Sequence, residues 1–259
     1  MERKLIITRW KEQVLTSLLE NGEIVEFHCS PNETKEQAVL GDIYVGKVKN
    51  IVPNIGAAFV EVAKGVECYY ALDENETPIF TQKIGKKPLC IGDELLVQVS
   101  KEAVKTKVPT VSGKLSFTGK YAVLTTGDTR IGISSKLPKE SREHFQKLAA
   151  SYQSDAYGFI IRTNAKDVAE EVLKAELEQL IQEYKELVKI AGTRVCYSCL
   201  KKAPKQYLSE LKNIYQDGLK EIVIEDPILY EETIAYLKMY QPEDLGKVHR
   251  YEDTLLTFR

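Results

Sequence analysis

Alternating apolar and polar positions open the chain. Residues 4–8 read as a strand, and residues 13–19 and 23–29 flank Asn21-Gly22, a pair suited to the two-residue type I′ turn of a β-hairpin. Residues 30–37 are polar, carry Pro31 and Asn32, and read as a linker that ends where a new pattern begins at Gly41. From there to about residue 108, short apolar runs at 43–51, 57–62, 68–72 and 94–99 are separated by turn residues. No helical period of useful length interrupts them, which predicts a small all-β unit of barrel size. A second β-rich stretch follows, with strands at 114–117, 121–125 and 130–134 joined at Gly119 and at Gly127-Asp128, and one more at 158–161.

After Asn164 the period changes. Val168, Val172, Leu173, Leu177, Leu180, Ile181, Tyr184, Leu187 and Val188 mark one stripe of a long helix that Gly192 ends. The remainder alternates in the α/β manner: a strand at 194–198, a helix around 204–215, a strand at 221–224, a helix around 229–239 and an edge piece near 247–251.

Composition adds little to this picture and misleads once. With 259 residues, 43% hydrophobic, 29% charged and ordinary counts of 15 Gly and 9 Pro, the chain is a globular protein of two or three domains. Five cysteines, at 29, 68, 90, 196 and 199, are an odd number, and no leader-like pattern precedes Trp10, so a reduced, cytoplasmic protein is expected. Apolar runs such as 5–7 and 159–161 fall far short of the roughly 20 residues of a membrane span, so none is expected. A net charge of -2 argues, at face value, against a nucleic-acid partner. The total hides a local bias: Lys101, Lys105, Lys107, Lys114 and Lys120 face a single acid, Glu102, between positions 101 and 120.

Period-2 alternation in residues 57–62 puts Ala58, Val60 and Val62 on one face and Ala57, Phe59 and Glu61 on the other. Phe59 therefore shares a face with a carboxylate, and Tyr69 and Tyr70 follow one strand later. Two readings stand: a satellite core, or an aromatic platform with lysines at its edge, as in single-stranded nucleic-acid binding. Arg162-Thr163, between the 158–161 strand and the long helix, likewise has two readings. Guanidinium, hydroxyl and helix N-terminal amides would make an anion site, or Thr163 or Asn164 simply caps the helix. Glu225, Asp226, Glu231 and Glu232 invite a metal reading, but Asp226-Pro227 fits a strand end and helix start, and the two glutamates fit an exposed first turn. Cys196 and Cys199 have zinc-like spacing without a second pair, and His28, His144 and His249 are scattered.

Taken in order, Gly41-Asp42-Ile43-Tyr44-Val45-Gly46-Lys47-Val48, Pro53, Ala57-Ala58-Phe59-Val60, residues 92–99, Lys101-Glu102, Lys107, residues 115–124, Gly132-Ile133-Ser134, residues 158–163, Ile224-Glu225-Asp226-Pro227 and Tyr251-Glu252 resemble the ribonuclease E/G family. The resemblance implies an α+β fold class: an S1-type OB-fold β-barrel at 38–108 and a 5′-sensor subdomain at 109–192, inserted into an RNase H-like subdomain split between 1–37 and 193–259. It further implies that Phe59, Tyr69 and Lys107 contact single-stranded RNA. Arg162 and Thr163, with backbone groups of Gly119 and Val123, would hold a 5′-monophosphate. Tyr69 stands where the family often has Phe, and Ser135-Lys136 where it often has a basic pair, which predicts weaker sensing.

In the family, Mg²⁺-binding catalytic carboxylates lie in a later DNase I-like subdomain, followed by a zinc-binding cysteine motif. No catalytic or metal-binding residue is therefore assigned here; Mg²⁺ is expected for the full-length enzyme, and no useful cleavage for this chain alone. Homo-oligomers are implied, through contacts lying partly in other segments. The expected function is the RNA-binding and 5′-monophosphate-sensing portion of an endoribonuclease of RNA processing and decay, with a stand-alone RNA-binding regulator or an interaction scaffold as alternatives.

Overall fold

The computed structural model describes residues 2–32, 38–73, 77–213 and 219–251. In chain order the strands begin with β1 (Arg3–Trp10), β2 (Gln13–Glu20), β3 (Glu23–Pro31), β4 (Ile43–Val52), β5 (Ala57–Ala63), β6 (Val66–Ala71), β7 (Phe80–Gln82) and β8 (Glu94–Lys101). Then come β9 (Thr110–Ser112), β10 (Ser116–Thr118), β11 (Ala122–Thr125), β12 (Ile131–Ile133), α1 (Lys139–Ala150), β13 (Gly158–Ile161) and α2 (Glu170–Ala191). The chain continues through β14 (Cys199–Lys201), α3 (Gln206–Asn213), β15 (Leu219–Ile224), α4 (Pro227–Tyr240) and β16 (Val248–Arg250). These elements form two compact units, one from residues 1–35 with 204–259 and one from 36–203.

In the first unit the sheet order is β16-β15-β1-β2-β3. β1 runs parallel to β15, and β1, β2 and β3 form an antiparallel meander. Asn21 (φ 49) and Gly22 (φ 89) both adopt positive φ at the β2–β3 turn, as a type I′ hairpin requires. Leu5, Ile7, Val14 and Leu18 face one way and pack with Tyr207, Leu208 and Leu211 of α3 and Leu229 and Leu237 of α4. The α/β alternation expected for 204–251 is observed, except that residues 214, 215 and Glu252 lie outside the described residues, as does the 33–37 part of the expected linker.

The second unit contains a closed barrel. β4, β5, β6, β9 and β8 pair in a ring because β4 bonds β8 as well as β5, while β7 and β14 extend it at β8 and β4. Val48, Val60, Val62, Cys68, Tyr70, Val97, Val99 and Val111 fill its interior. β4 and β8 are buried on both faces: Ile43, Val45 and Leu96 point out of the barrel into a second core with Phe117, Leu124, Phe159, Ile161, Leu173 and Leu177. That core lies under a four-stranded sheet, order β10-β11-β13-β12, covered by α1 and α2.

Several expectations are corrected. β9, at Thr110–Ser112, belongs to the barrel ring, so the barrel runs past residue 108. The strand expected at 194–198 is a turn with Tyr197 at φ 71, and pairing with β4 begins at Cys199. Residues 193–203 therefore pack with the barrel unit. α1 carries a stripe of only Phe145, Leu148 and Ala149 on a polar helix, too thin for the pattern to register. The long helix starts at Glu170, after a short 3₁₀ turn at Thr163–Ala165.

Candidate functional site

Two surfaces of the second unit collect the residues singled out by sequence. On the barrel, Phe59 stands opposite Tyr69 in the β5–β6 ladder, and their rings meet edge to face with centroids 6.4 Å apart. Both point outward, because their neighbours Ala58, Val60, Cys68 and Tyr70 fill the barrel. The row continues around the barrel through Asn50 on β4 beside Phe59 and Thr110 on β9 beside Tyr69, with Lys101 on β8 opposite Thr110. The Tyr69 N–H donates to the Pro109 carbonyl at 2.8 Å, which holds the end of the Lys107 loop against β6. Lys107 itself closes a tight turn with Val104 through reciprocal backbone hydrogen bonds of 3.0 and 3.2 Å, with Lys105 at φ 55. Lys101, Lys105, Lys107, Val104 and Val108 are exposed around it.

The sequence overstated this surface in three places. Tyr70 is a core residue. Lys120 is 2% exposed, with its ammonium 5.1 Å from the Tyr121 ring centroid, and Lys114 forms an ion pair with Asp73 at 2.7 Å, so the basic stripe narrows to three exposed lysines. Nor is the Phe59 face solvated throughout: Ala57 and Glu61 are buried. The Tyr197 hydroxyl donates to Glu61, the Gly65 N–H donates at 2.8 Å and Lys49 lies at 3.2 Å, which together hold the Glu61 carboxyl down at about 2.

The second surface lies where β12 and β13 end side by side. β12 and β13 are parallel, so the residues that follow them, Ser134 and Arg162-Thr163, emerge together. The hydroxyls of Ser134 and Thr163 are 2.8 Å apart. Arg162 Nη1 donates to the Gly119 carbonyl at 2.9 Å and to the Lys120 carbonyl at 3.4 Å, so the guanidinium is anchored on the β10–β11 turn. Val123 pairs with Ile160 and Thr118, and Ile160 with Gly132, giving one row across the open face of the sheet; Ile160 is 46% exposed. The result is a shallow apolar floor with a guanidinium and two hydroxyls at its rim, an arrangement able to grip a phosphate by its oxygens.

Two features differ from the expected anion site. The amides of the long helix are not part of it, since that helix begins eight residues after Arg162. The Gly119 N–H already donates to the Ala122 carbonyl at 2.8 Å, and β11 lies between β10 and β13, so the Val123 backbone sits within the ladder. Both backbones are thus engaged within the turn and the sheet, whereas the Arg162, Thr163 and Ser134 side chains stand at the strand ends. Sequence reasoning missed Glu176, whose carboxylate accepts from the N–H groups of Lys120, Tyr121 and Ala122. The available signal was a carboxylate flanking the apolar stripe, one residue before Leu177.

Of the four first-unit carboxylates singled out by sequence, Glu225, Asp226 and Glu232 have structural partners. Asp226 caps α4, accepting from the Ile228 and Leu229 N–H groups, and pairs with Arg9 at 3.0 Å. Glu225 accepts from Thr8 Oγ1 at 2.7 Å. Glu232 is half-buried, not exposed as its position suggested, and accepts from Lys205 and from the Tyr207 hydroxyl, while Glu231 is exposed. Among the described residues no three His, Cys, Asp or Glu side chains converge to hold a metal ion, and no helix is long and apolar enough to cross a membrane. Cys196 and Cys199 are free thiols.

Comparison with known proteins adds one consistent result. The sequence profile of the Ribonuclease E/G family matches residues 116–258. Ribonuclease G of Salmonella typhimurium (strain SL1344) is 25% identical over 97% of this chain, which corresponds to 53% of that protein. Ribonuclease E of Synechocystis sp. is 26% identical over 84% of the chain and 31% of its own length, and Ribonuclease E of Haemophilus influenzae 23% over 100% and 28%. The chain thus spans about half the length of the ribonuclease G relative, 53%, and less of the ribonuclease E proteins.

Proposed function

The chain belongs to the ribonuclease E/G family, and on that premise we propose that it is the part of such an endoribonuclease that selects RNA: an S1-type barrel for single strands and a sensor for 5′-monophosphate ends. The observation that carries the reading is the pairing of Phe59 with Tyr69 on the outer face of a closed barrel, with Lys101 and Lys107 at the edge of the same surface. Bases offer π-faces to such a pair, and lysines at its border neutralise the backbone. Sensing is supported by Arg162, Thr163 and Ser134, whose donors fit a terminal phosphate dianion far better than a hydroxyl. In this reading Gly119 acts through its carbonyl, as the anchor of Arg162, and Val123 through the apolar floor.

The four-stranded sheet with α1 and α2 is then the 5′-sensor subdomain, and the first unit the RNase H-like subdomain, its two chain segments separated by the barrel and sensor. Hydrolysis is assigned to the whole protein. Mg²⁺ would serve there; among the described residues of this chain no set of side chains fits it as ligands. A reduced cytoplasmic setting, with its single-stranded RNA, suits the free thiols.

Fluorescence anisotropy with a short single-stranded RNA tests the barrel. Phe59→Ala is expected to weaken binding by about 1–3 kcal/mol, and Lys107→Ala to lower the salt dependence of the affinity. Unchanged binding in both variants returns Phe59 and Tyr69 to the role of a satellite core.

A further inference from the structure

Between Glu176 and Arg162 lie three successive peptide units, and each is held from both sides. The Lys120 N–H donates to Glu176 Oε2 at 2.8 Å, and the Tyr121 and Ala122 N–H groups donate to Oε1 at 2.7 Å each. The carbonyls of the same three units are taken by Arg162: those of Gly119 and Lys120 by its Nη1, at 2.9 and 3.4 Å, and that of Tyr121 by its backbone N–H, at 2.7 Å. A trans peptide holds N–H and C=O antiparallel in one plane, so a carboxylate that gathers three consecutive N–H groups fixes where the three carbonyls aim. Charge-assisted hydrogen bonds linked in this way also polarise one another, which strengthens the grip on the guanidinium. Glycine at 119 belongs to the same device: a Cβ there would lie 2.5 Å from the Glu176 carboxyl carbon and push the carboxylate off the turn.

We propose that Glu176 is a positioning residue for 5′-end recognition: acting through the 119–122 turn, it holds the Arg162 guanidinium in the orientation that receives a terminal phosphate, without touching RNA itself. The inference rests on the reading of Arg162 as the phosphate ligand. It also makes a prediction opposite in sign to another role for the same carboxylate, that of an anion standing in for phosphate on three backbone amides.

The experiment uses the 259-residue chain and its Glu176→Gln and Glu176→Ala variants, with two readouts. One is the ratio of affinities for the same short single-stranded RNA carrying a 5′-monophosphate or a 5′-hydroxyl. The other is the nitrogen-15 NMR signal of the Arg162 guanidinium in RNA-free protein. The expected result is a ratio reduced several-fold in Glu176→Gln and abolished in Glu176→Ala, with affinity for 5′-hydroxyl RNA unchanged and the guanidinium signal shifted and broadened in both. A folded Glu176→Ala protein with the wild-type ratio and an unchanged Arg162 signal overturns the proposal, and so does a ratio that rises, which would mark Glu176 as a competitor of phosphate. If the wild type shows no preference, the phosphate reading of Arg162 has failed, and the guanidinium signal alone decides whether Glu176 positions it. Should Glu176→Ala not fold, Glu176→Gln carries the same comparison.

Discussion

Phe59 and Glu61 sit two positions apart on one strand and behave oppositely, because what covers an outward-facing side chain is set by distant chain. Glu61 is enclosed by Tyr197, Gly65 and Lys49, whereas Phe59 meets the Tyr69 ring in an edge-to-face contact. The Glu61 carboxyl, at about 2 against its usual 4.5, is favoured by the fold in its charged form. Its contribution to stability is therefore complete above pH 4.5 and disappears as pH falls from 4.5 through 2. The stability difference between wild type and Glu61→Gln should accordingly be widest near neutral pH and close across that interval in urea melts; a gap independent of pH would contradict the assigned hydrogen bonds. Cys68 gives a second residue-level test. Burial in the barrel core pushes its thiol up to about 12, so a thiol reagent at pH 8 should label Cys29, which is exposed, in the native protein and Cys68 only on unfolding.

Elements were legible where the apolar period was long or the turn chemistry strict. The β1–β3 meander follows from alternation plus Asn21-Gly22, and α4 from Asp226-Pro227 ahead of an apolar helix. α1, β7 and β9 escaped because three-residue strands and a three-residue stripe leave no measurable period. The 194–198 stretch has strand-like composition, yet Tyr197 takes a left-handed conformation there and sends its hydroxyl to Glu61, a partner 136 residues away that no local pattern announces. At this scale Asp226 is a cap before it is a carboxylate. Asp226→Ala removes two N–H acceptances and the Arg9 pair, and should cost about 1–2 kcal/mol in thermal unfolding of the first unit with RNA affinity unchanged. A loss of RNA affinity without a loss of stability would show that Asp226 serves the site directly.

For the whole molecule, a net charge of -2 conceals the arrangement that matters. Three exposed lysines, 101, 105 and 107, gather near an aromatic pair, while the single acid of that run, Glu102, turns to the Leu40 N–H at 3.1 Å. The candidate residues were legible because the order of short motifs along the chain groups them, and the pairs Phe59–Tyr69 and Arg162–Gly119 lie together in the fold. Glu176 was not recognisable, since its role depends on a turn packed against the helix from 54 residues earlier in the chain. Two compact units, one of them assembled from both ends of the sequence, explain why a linear reading blurs their boundaries.

Recognition of the RNA terminus is measured most directly by fluorescence anisotropy of one short single-stranded RNA, prepared with a 5′-monophosphate and with a 5′-hydroxyl. Wild-type protein should bind the monophosphate form more tightly, and Arg162→Ala should bind both forms equally with the 5′-hydroxyl affinity retained. Equal affinities in the wild type, unaltered by Arg162→Ala, would contradict the account.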